Sequence, residues 1–306
     1  MTFRIDEIHQ KGTTLFSVKK DPGVELNEDS LLQLAQYIDR NDVVLLRNFD
    51  LQALDDFKAF SDSFNDQFQP YVGGAFEREP VQGDRTILEV TGGKTSLVPL
   101  HGEMYYSQIK PSRLWFYCHV APSKGGATQV CDAATFYRQL SETTKTLLQN
   151  NLVSYIVTYQ KEEWRNIFQN DDLQKVKDHC ESEKMDFKVL PNDGIQTTYT
   201  TSPLVKHKDG SMLFINNLIP ILAQEYILQK NNRVVRLQNG TQISLQIFEE
   251  FIGLTNAIAY DHNWQSQDVI VVNNQHVMHG RTQIIDQNRH ILVRLGYEAS
   301  LRCALR

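Results

Sequence analysis

Apolar residues in the first quarter of the chain follow two periods, and each period predicts a different element. Leu31, Leu34 and Ile38 lie on one stripe of a helix, and Asn27 precedes them as a residue that caps helix starts. The next segment, 43–49, is an apolar run, which is typical of a strand covered on both faces. A second set at helical spacing follows it: Leu54, Phe57, Phe60 and Phe64.

Strand-like runs dominate the rest of the pattern. Segments rich in β-branched and aromatic residues predict strands, and Asp132 can cap a helix over 133–140. No Gly-x-Gly-x-x-Gly sequence occurs, so a doubly wound parallel sheet is not expected. The pattern therefore predicts a β-rich α+β fold. The predicted strands are 86–90, 113–120, a short strand that ends at Asp132, 268–273 and 290–297.

The mid-chain region 133–267 mixes predicted short helices with strands and is too structured for a linker. If the strands on either side of it form one barrel, this region must leave the barrel and return. A chain of 306 residues could hold two domains, but closed or sandwiched β folds often reach this length as one unit. We therefore expect a single domain, 1–306, with an insertion at about 133–267.

The composition excludes several classes of protein. Apolar residues make up 41% and charged residues 22% of the chain, as in an ordinary globular protein with a large core. The net charge is −6 and the sequence pI is about 5.9, so a broad basic surface for nucleic acid is not expected. No stretch of about 18 apolar residues occurs, so a membrane span is not expected either.

The four cysteines are widely spaced, and none forms a Cys-x-x-Cys pair. This spacing predicts free, mostly buried thiols in a reducing compartment. The first residues carry no apolar signal core. We therefore expect a cytoplasmic protein. The cysteines are Cys118, Cys131, Cys180 and Cys303.

His101 and Glu103 are potential metal ligands two residues apart. In a strand such residues project from the same face, so both can reach one ion. His279, beside a glycine, offers a third ligand, whereas His276 faces the other side of an extended strand. Two histidines and one carboxylate are typical of non-haem Fe(II) oxygenases, although they also describe catalytic zinc sites. A lone His-x-Glu pair occurs by chance in many chains.

Arg294 is a further candidate because Val293 and Leu295 flank it in an apolar strand. A buried arginine needs a partner, and a bidentate carboxylate is its natural one. No acidic residue lies beside it in the strand. A distant acidic side chain or a bound carboxylic acid would fill this role, and the residues alone leave both open.

Four segments together resemble the Fe(II)/2-oxoglutarate-dependent dioxygenases of the taurine dioxygenase superfamily. Their glutamate ligand makes them similar to clavaminate synthase and the amino-acid hydroxylases of nonribosomal peptide pathways. The resemblance implies a double-stranded β-helix (jelly roll) core with flanking helices and a large mid-chain insertion. The segments are His-Gly-Glu at 101–103, Gly-Gly-Ala-Thr at 125–128, Met-His-Gly-Arg at 278–281 and Arg-His-Ile-Leu-Val-Arg at 289–294.

The resemblance also implies cofactors and the residues that hold them. His101, Glu103 and His279 would bind Fe(II), with 2-oxoglutarate and O2 as co-substrates. Thr128 and Arg294 would hold the distal carboxylate of 2-oxoglutarate. The reaction would convert this co-substrate to succinate and carbon dioxide.

Three further positions depart from or extend the family pattern. His290 is a candidate contact to 2-oxoglutarate, because relatives such as taurine dioxygenase have an arginine at its position. In an extended strand His290 and Arg294 share a face, whereas Arg289 lies opposite and is expected to be a surface charge. Asn273-Asn274 stands where many relatives have Asp-Asn, and a turn-forming pair is a sufficient interpretation of it.

Candidate substrate contacts lie around the metal-binding segment. Arg78 and Arg85 are in its approach, among loops that often carry substrate contacts. Strand alternation would put Tyr105 on the face of the ligands. These three residues are predicted to contact substrate.

We expect an oxygenase that hydroxylates, desaturates or epoxidises an amino acid or amino-acid-derived small molecule in specialised metabolism. The substrate would be free or tethered to a carrier protein. Glu103 argues against a halogenase, because halide needs the position that the carboxylate occupies. Two alternatives use the same residues differently: a zinc hydrolase, which would not need Thr128 or Arg294, and a non-catalytic β-barrel binding module.

Overall fold

The structure is a computed structural model that describes residues 3–64, 66–72, 80–90 and 95–298. Strands occur along its whole length. In chain order they are β1 (Phe3–Gln10), β2 (Thr13–Lys20), β3 (Val43–Arg47), β4 (Gln67–Phe68), β5 (Pro80–Val81), β6 (Asp84–Glu89), β7 (Val98–His101), β8 (Arg113–Val120), β9 (Thr128–Asp132), β10 (Val153–Tyr159), β11 (Asp186–Val189), β12 (Ile195–Thr201), β13 (Val205–Lys206), β14 (Met212–Leu213), β15 (Arg233–Leu237), β16 (Tyr260–His262), β17 (Val269–Asn273), β18 (Val277–Arg281) and β19 (His290–Tyr297).

Helices lie between these strands along the chain. The predicted cap of the first helix is confirmed, because the Asn27 side chain accepts a hydrogen bond from the Ser30 amide and Ser30 Oγ accepts one from the Asn27 amide. The helices are α1 (Glu28–Arg40), α2 (Leu54–Asp62), α3 (Ala133–Gln139), α4 (Glu142–Asn150), α5 (Lys161–Phe168), α6 (Leu173–Ser182), α7 (Leu218–Tyr226) and α8 (Leu245–Ile258), with a 3₁₀ turn at Pro191–Asp193.

Two sheets form the centre of the protein. The large sheet has the order β1-β2-β3-β17-β8-β19-β6-β5, and β4 pairs with β19. The small sheet has the order β16-β9-β18-β7. Only the β2–β3 pair is parallel among the strand pairs that the described residues form. Both sheets therefore combine early and late segments of the chain.

Strand alternation divides the apolar side chains of the large sheet between two layers. In β8, Leu114 and Phe116 belong to the cluster shared with the small sheet. Trp115 and Tyr117 belong to the cluster shared with α1 and α2, where the Tyr117 ring stacks on Phe57 with centroids 4.7 Å apart. Both faces of the large sheet are therefore covered, which explains its continuous apolar runs.

The region between β9 and β16 builds structure of its own. It contains α3 to α8 and a four-stranded sheet in the order β11-β12-β10-β15. The chain rejoins the small sheet at Tyr260, where β16 pairs with β9, earlier than the expected end at 267. A single domain over residues 1–306 stays a prediction.

The β-rich α+β class that the pattern predicts is confirmed. Cys118, Cys131 and Cys180 are free and buried, and burial is the main cause that raises the pKa of each thiol to about 12. Cys303 lies outside the described residues. Within the described part of the chain, no helix is both long enough and apolar enough to cross a membrane.

Two leucines of α1 test the helix layer. Leu34 is 1% exposed in the cluster beneath the large sheet, whereas Leu32 is 59% exposed. Leu34→Ala should lower the free energy of unfolding by about 2–5 kcal/mol, because it leaves a cavity. Leu32→Ala should change it by no more than about 0.5 kcal/mol. Urea unfolding measures both, and equal effects would contradict the described packing.

Candidate metal centre

His101, Glu103 and His279 come together, as the sequence predicts. His101 Nε2 lies 3.8 Å and His279 Nε2 lies 3.5 Å from the same carboxylate oxygen, Glu103 Oε2. The two imidazole centroids are 4.2 Å apart, and the Phe116 ring of the large sheet is 5.4 Å from that of His279. The three side chains therefore meet between the two sheets. Among the described residues they are the only His, Cys, Asp and Glu group spaced to hold a metal ion.

The two histidines face each other because β7 and β18 are neighbours. His279 and His101 are direct partners in this antiparallel pair, and direct partners project to the same side of a sheet. A Cβ at Gly280 would lie 2.7 Å from the carbonyl oxygen of Val98. Glycine at position 280 therefore permits the close approach that brings the imidazoles together.

Glu103 reaches the centre by a route that the sequence did not predict. The strand ends at His101, and Glu103 lies in the turn that follows, where Met104 has a φ of 60°. Alternation within one strand is therefore not what aligns the pair. Instead, the Asn274 side chain accepts a hydrogen bond from Glu103 N at 2.8 Å and donates one to Glu103 O at 3.1 Å.

The donor set fits a divalent metal ion. His101 Nδ1 donates to the carbonyl oxygen of Pro99 at 2.9 Å, which leaves Nε2 as the atom that faces the centre. Glu103 is 3% exposed, and a cation beside it would balance its buried charge. Metal–ligand bonds of about 2.1 Å put adjacent ligands about 3 Å apart, close to the observed spacings. Three protein ligands leave three positions of an octahedral ion open.

A hydroxyl group lies on the same side of the small sheet as His279. Thr128 begins β9, is 3% exposed, and pairs with Arg281 two residues beyond His279. Its Oγ1 accepts a hydrogen bond from Trp264 Nε1 at 3.1 Å. Because the indole N–H occupies one acceptor position, the hydroxyl proton of Thr128 can be donated to a ligand.

Two buried arginines lie near this hydroxyl. Arg281 is 3% exposed and donates to the Ser96 carbonyl oxygen at 2.7 Å. Arg289 is 7% exposed, and its Nε donates to the Gly126 carbonyl oxygen at 3.2 Å. Burial lowers the pKa of Arg281, and burial together with the charge of Arg281 lowers the pKa of Arg289 to about 10. The two guanidinium groups therefore lie close enough to influence each other's charge.

Gly126 makes room for Arg289. Its φ is +68°, a conformation that L-residues rarely adopt, and a Cβ there would lie 2.9 Å from Arg289 Cδ. The Gly125-Gly126 pair of the sequence therefore lets the arginine stem pass close to the main chain before β9.

The comparison with known families decides what this centre belongs to. The family described as taurine catabolism dioxygenase TauD, TfdA family matches residues 10–295. The chain belongs to this family. It is a non-haem Fe(II)- and 2-oxoglutarate-dependent dioxygenase, and its His-Glu-His group is spaced to hold a metal ion. In this family the bound iron and 2-oxoglutarate supply the oxidising chemistry, whereas the residues described here position them.

Individual proteins similar to this TauD-family dioxygenase are distant. A clavaminate synthase-like protein of Arabidopsis thaliana is 23% identical over 267 residues, which cover 82% of this chain and 80% of the relative. The dapdiamide synthesis protein DdaC of Enterobacter agglomerans is 21% identical over 220 residues, which cover 67% of this chain and 66% of the relative.

Solved structures share the fold at low identity. PvcB of Pseudomonas aeruginosa has a TM-score of 0.57 and 15% identity, with 98% of this chain and 93% of that chain covered. A taurine dioxygenase from Burkholderia xenovorans has a TM-score of 0.55 and 12% identity, with 97% and 89% covered.

The structure corrects the positions predicted for two arginines of this dioxygenase. Arg294 faces the helix layer, where it forms an ion pair with Asp62 at 2.8 Å, donates to Ser61 Oγ, and lies 3.7 Å from the Phe68 ring centroid. Its predicted contact with 2-oxoglutarate is therefore wrong, as is the prediction that Arg289 is a surface charge. Alternation correctly separated the two arginines, but both faces of β19 are buried, so it could not tell which face meets the metal.

His290 follows Arg294 rather than the metal ligands. Its Nε2 lies 3.1 Å from Glu89 Oε1, its ring lies 5.4 Å from that of His119, and its side chain is 35% exposed. The half-exposed position of His290 does not support its predicted contact with 2-oxoglutarate.

The three predicted substrate contacts have different outcomes. The Tyr105 hydroxyl donates to the Asn274 carbonyl oxygen at 3.0 Å, so this tyrosine fastens the ligand loop to the β17–β18 turn. Arg85 is exposed on β6. Arg78 lies outside the described residues. A substrate role for each of them stays a prediction.

Four residues around the ligands and Thr128 are not predicted by the sequence pattern: Asn274, Trp264, Arg281 and Arg289. An arginine buried in a strand needs a partner. This holds for Arg281 in the Met-His-Gly-Arg segment as well as for Arg294. Asn274 was visible as part of a polar pair. Nothing in the local pattern distinguishes its buried amide from that of a solvated turn residue.

Asp42 also holds the turn that carries Asn274. Asp42 Oδ1 accepts hydrogen bonds from Asn273 Nδ2 at 2.8 Å and His276 Nδ1 at 3.0 Å. The hydrogen bond that His276 donates to Asp42 is the main cause that raises the pKa of His276. Burial is the largest single influence on the Asp42 carboxyl and would raise its pKa, but the hydrogen bonds from His276 and Asn273, together with the charge of the nearby histidines, lower the pKa overall.

This ion pair predicts a pH dependence of stability. The raised pKa of His276 contributes stability below the unfolded value of 6.5, which is lost as the pH rises through the folded pKa. The lowered pKa of Asp42 contributes stability above 3.8, which is lost as the pH falls through its folded pKa. The loss of unfolding free energy in His276→Gln should therefore be larger at pH 6 than at pH 9. Chemical denaturation measures it, and a difference that does not vary with pH would refute the pairing.

Proposed function

We propose that this dioxygenase hydroxylates an amino acid or an amino-acid-derived small molecule, with desaturation or epoxidation as variants of the same reaction. The observation that carries the proposal is the composition of the space between the sheets. His101 and His279 meet Glu103 on the side of the small sheet where the Thr128 hydroxyl lies. The Arg289 guanidinium donates to the carbonyl oxygen of Gly126, two residues before Thr128. This set suits an iron ion together with a dicarboxylic co-substrate.

The two facing sheets support a jelly-roll core as the scaffold of this site. They share one apolar cluster, and the metal ligands come from the small sheet and the turn beside it. The structural relatives named above have the same overall arrangement at TM-scores of 0.55 and 0.57. We assign the region between β9 and β16 to an insertion in this core.

Arg289, rather than Arg294, is our candidate for the 2-oxoglutarate carboxylate. Burial disfavours its charge, and a carboxylate beside it would compensate that cost through a charge-assisted, bidentate contact. Thr128 would donate its hydroxyl proton to the same carboxylate. Arg281 would add a second positive charge behind Arg289.

The substrate class is supported by the relatives. DdaC is described as a dapdiamide synthesis protein, and PvcB as an Fe, alpha-ketoglutarate-dependent oxygenase from an isonitrile synthetic pathway. A third relative is described as clavaminate synthase-like. We therefore place this enzyme in specialised metabolism, acting on an amino acid that is free or bound to a carrier protein.

Arg289, just before β19, and Arg294, within β19, provide a matched test of co-substrate binding. Arg289→Ala should weaken 2-oxoglutarate binding by about 30-fold or more, because loss of one partner of a buried charge pair costs roughly 2–5 kcal/mol. Anaerobic titration of the Fe(II) enzyme with 2-oxoglutarate, followed by its visible charge-transfer band, measures the affinity.

Arg294→Ala is the control, five residues further along the chain. It removes an arginine that contacts α2, so it should lower the stability and leave the affinity for 2-oxoglutarate within about threefold of the wild type. If the two variants exchange these effects, the assignment to Arg289 is refuted.

A substrate screen tests the proposed substrate class. Succinate release should increase when the correct amino acid is added to enzyme, Fe(II), 2-oxoglutarate and oxygen. Free amino acids and the same amino acids as carrier-protein thioesters form the two arms. Mass spectrometry should find a product heavier by one oxygen for hydroxylation or epoxidation, or lighter by two hydrogens for desaturation. Stimulation only by compounds unrelated to amino acids would reject the proposal.

A further inference from the structure

The side chain of Asn274 is fully buried at the turn between β17 and β18. Its three hydrogen bonds within the described part of the chain go to main-chain groups of the loop 103–112. Its Oδ1 accepts from Glu103 N at 2.8 Å. Its Nδ2 donates to Glu103 O at 3.1 Å and to Pro111 O at 2.7 Å. One side-chain amide therefore bonds to both the start and the end of the loop that carries the carboxylate ligand.

The main chain of Asn274 adds two contacts to the same loop. Its N–H donates to the Ser112 carbonyl oxygen at 2.8 Å, and its carbonyl oxygen accepts from the Tyr105 hydroxyl at 3.0 Å. All five hydrogen bonds run between one residue of the turn and residues of one loop.

Glu103 depends on these contacts more than the two histidines do. His101 and His279 lie in strands, whose ladders fix their main chains. Glu103 lies in a turn. The next residue, Met104, adopts a left-handed conformation, which is unfavourable for residues other than glycine. A turn of this kind persists only where its surroundings hold it.

We propose that Asn274 is a positioning residue for the metal: its amide fixes the main chain of Glu103 and thereby keeps the carboxylate aimed at the ion. The Asn274 side chain bonds to the main chain of Glu103 and not to its carboxylate. It acts through the direction in which the Glu103 side chain leaves the main chain. The inference rests on the iron site described above.

Asparagine suits this place because one group must accept and donate at once. Glu103 N needs an acceptor, whereas Glu103 O and Pro111 O need donors, and a side-chain amide supplies both. An aspartate of the same shape keeps the acceptor but puts oxygen against two carbonyl oxygens. It would repel the loop without changing the volume of the site.

Asn274→Asp tests the proposal with Mn(II) as the probe. The apparent dissociation constant for Mn(II), from the EPR signal of the free ion, should rise by about 10- to 100-fold, the range seen when partners behind metal ligands are removed. Affinity for 2-oxoglutarate, measured at saturating Mn(II), should stay near the wild-type value. A purely structural defect would not produce this separation.

Asn273→Ala is the matched control, because it alters the neighbouring residue of the same turn. The Asn273 side chain donates to Asp42, away from the loop of Glu103. This variant should lose stability in thermal unfolding and keep the Mn(II) affinity of the wild type.

The outcomes separate cleanly. Wild-type protein that binds no Mn(II) would reject the iron site itself. A folded Asn274→Asp protein with wild-type Mn(II) affinity would overturn the positioning role, as would an equal loss of affinity in Asn273→Ala. If Asn274→Asp does not fold, Asn274→Ser keeps one hydroxyl contact and is measured in the same way. If neither variant folds while Asn273→Ala does, Asn274 determines folding instead, and the proposal is overturned.

Discussion

The close approach of β7 and β18 is the constraint on which the metal centre depends. Strands at ordinary spacing would still pair His101 with His279, but a side chain at position 280 would push the Val98 main chain away and separate the imidazoles. Once this spacing is set, the third ligand need not come from a strand at all. A turn residue can complete the set, provided that something rigid holds the turn. The small sheet thus supplies two ligands directly and leaves the third to contacts with the large sheet, whose strand β17 leads into Asn274.

The sequence predicted those parts of the site that follow from chemistry and periodicity. The three ligands could be found because few residue types bind iron, and the buried strands could be found because both faces of the large sheet are covered. The arginine that accompanies them could not. Arg289 directly precedes β19 and Arg294 lies within it. The two arginines contact different layers and both are buried, so neither period nor hydrophobicity indicates which of them meets the small sheet. That choice depends on the register of β19 with β8, a long-range fact. The contacts of Asn274 with Glu103 escaped for the same reason, since 171 positions separate the two residues.

The proposed insertion, between β9 and β16, contacts the loop between Glu103 and Ser112 as well as the core. Glu183, at the end of α6, accepts a hydrogen bond from the Ile109 amide at 2.8 Å. The Lys110 ammonium lies between the rings of Tyr105 and Tyr199, 5.3 and 5.8 Å from their centroids, and burial lowers its pKa to about 8. The loop between Glu103 and Ser112 is thus bordered by the β17–β18 turn on one side and by the insertion on the other. A shift of α6 or of Tyr199 would therefore reach the loop of Glu103 through direct contacts.

The contact between Trp264 and Thr128 gives this protein a built-in optical reporter. The chain has three tryptophans. Trp115 is buried in the helix layer and Trp164 in the insertion, and each donates its indole N–H elsewhere, to Asp66 and to the Asp193 carbonyl oxygen. Only Trp264 bonds to the hydroxyl that faces the interior between the sheets. We therefore expect the emission of Trp264, rather than that of the other two tryptophans, to respond to a ligand beside Thr128.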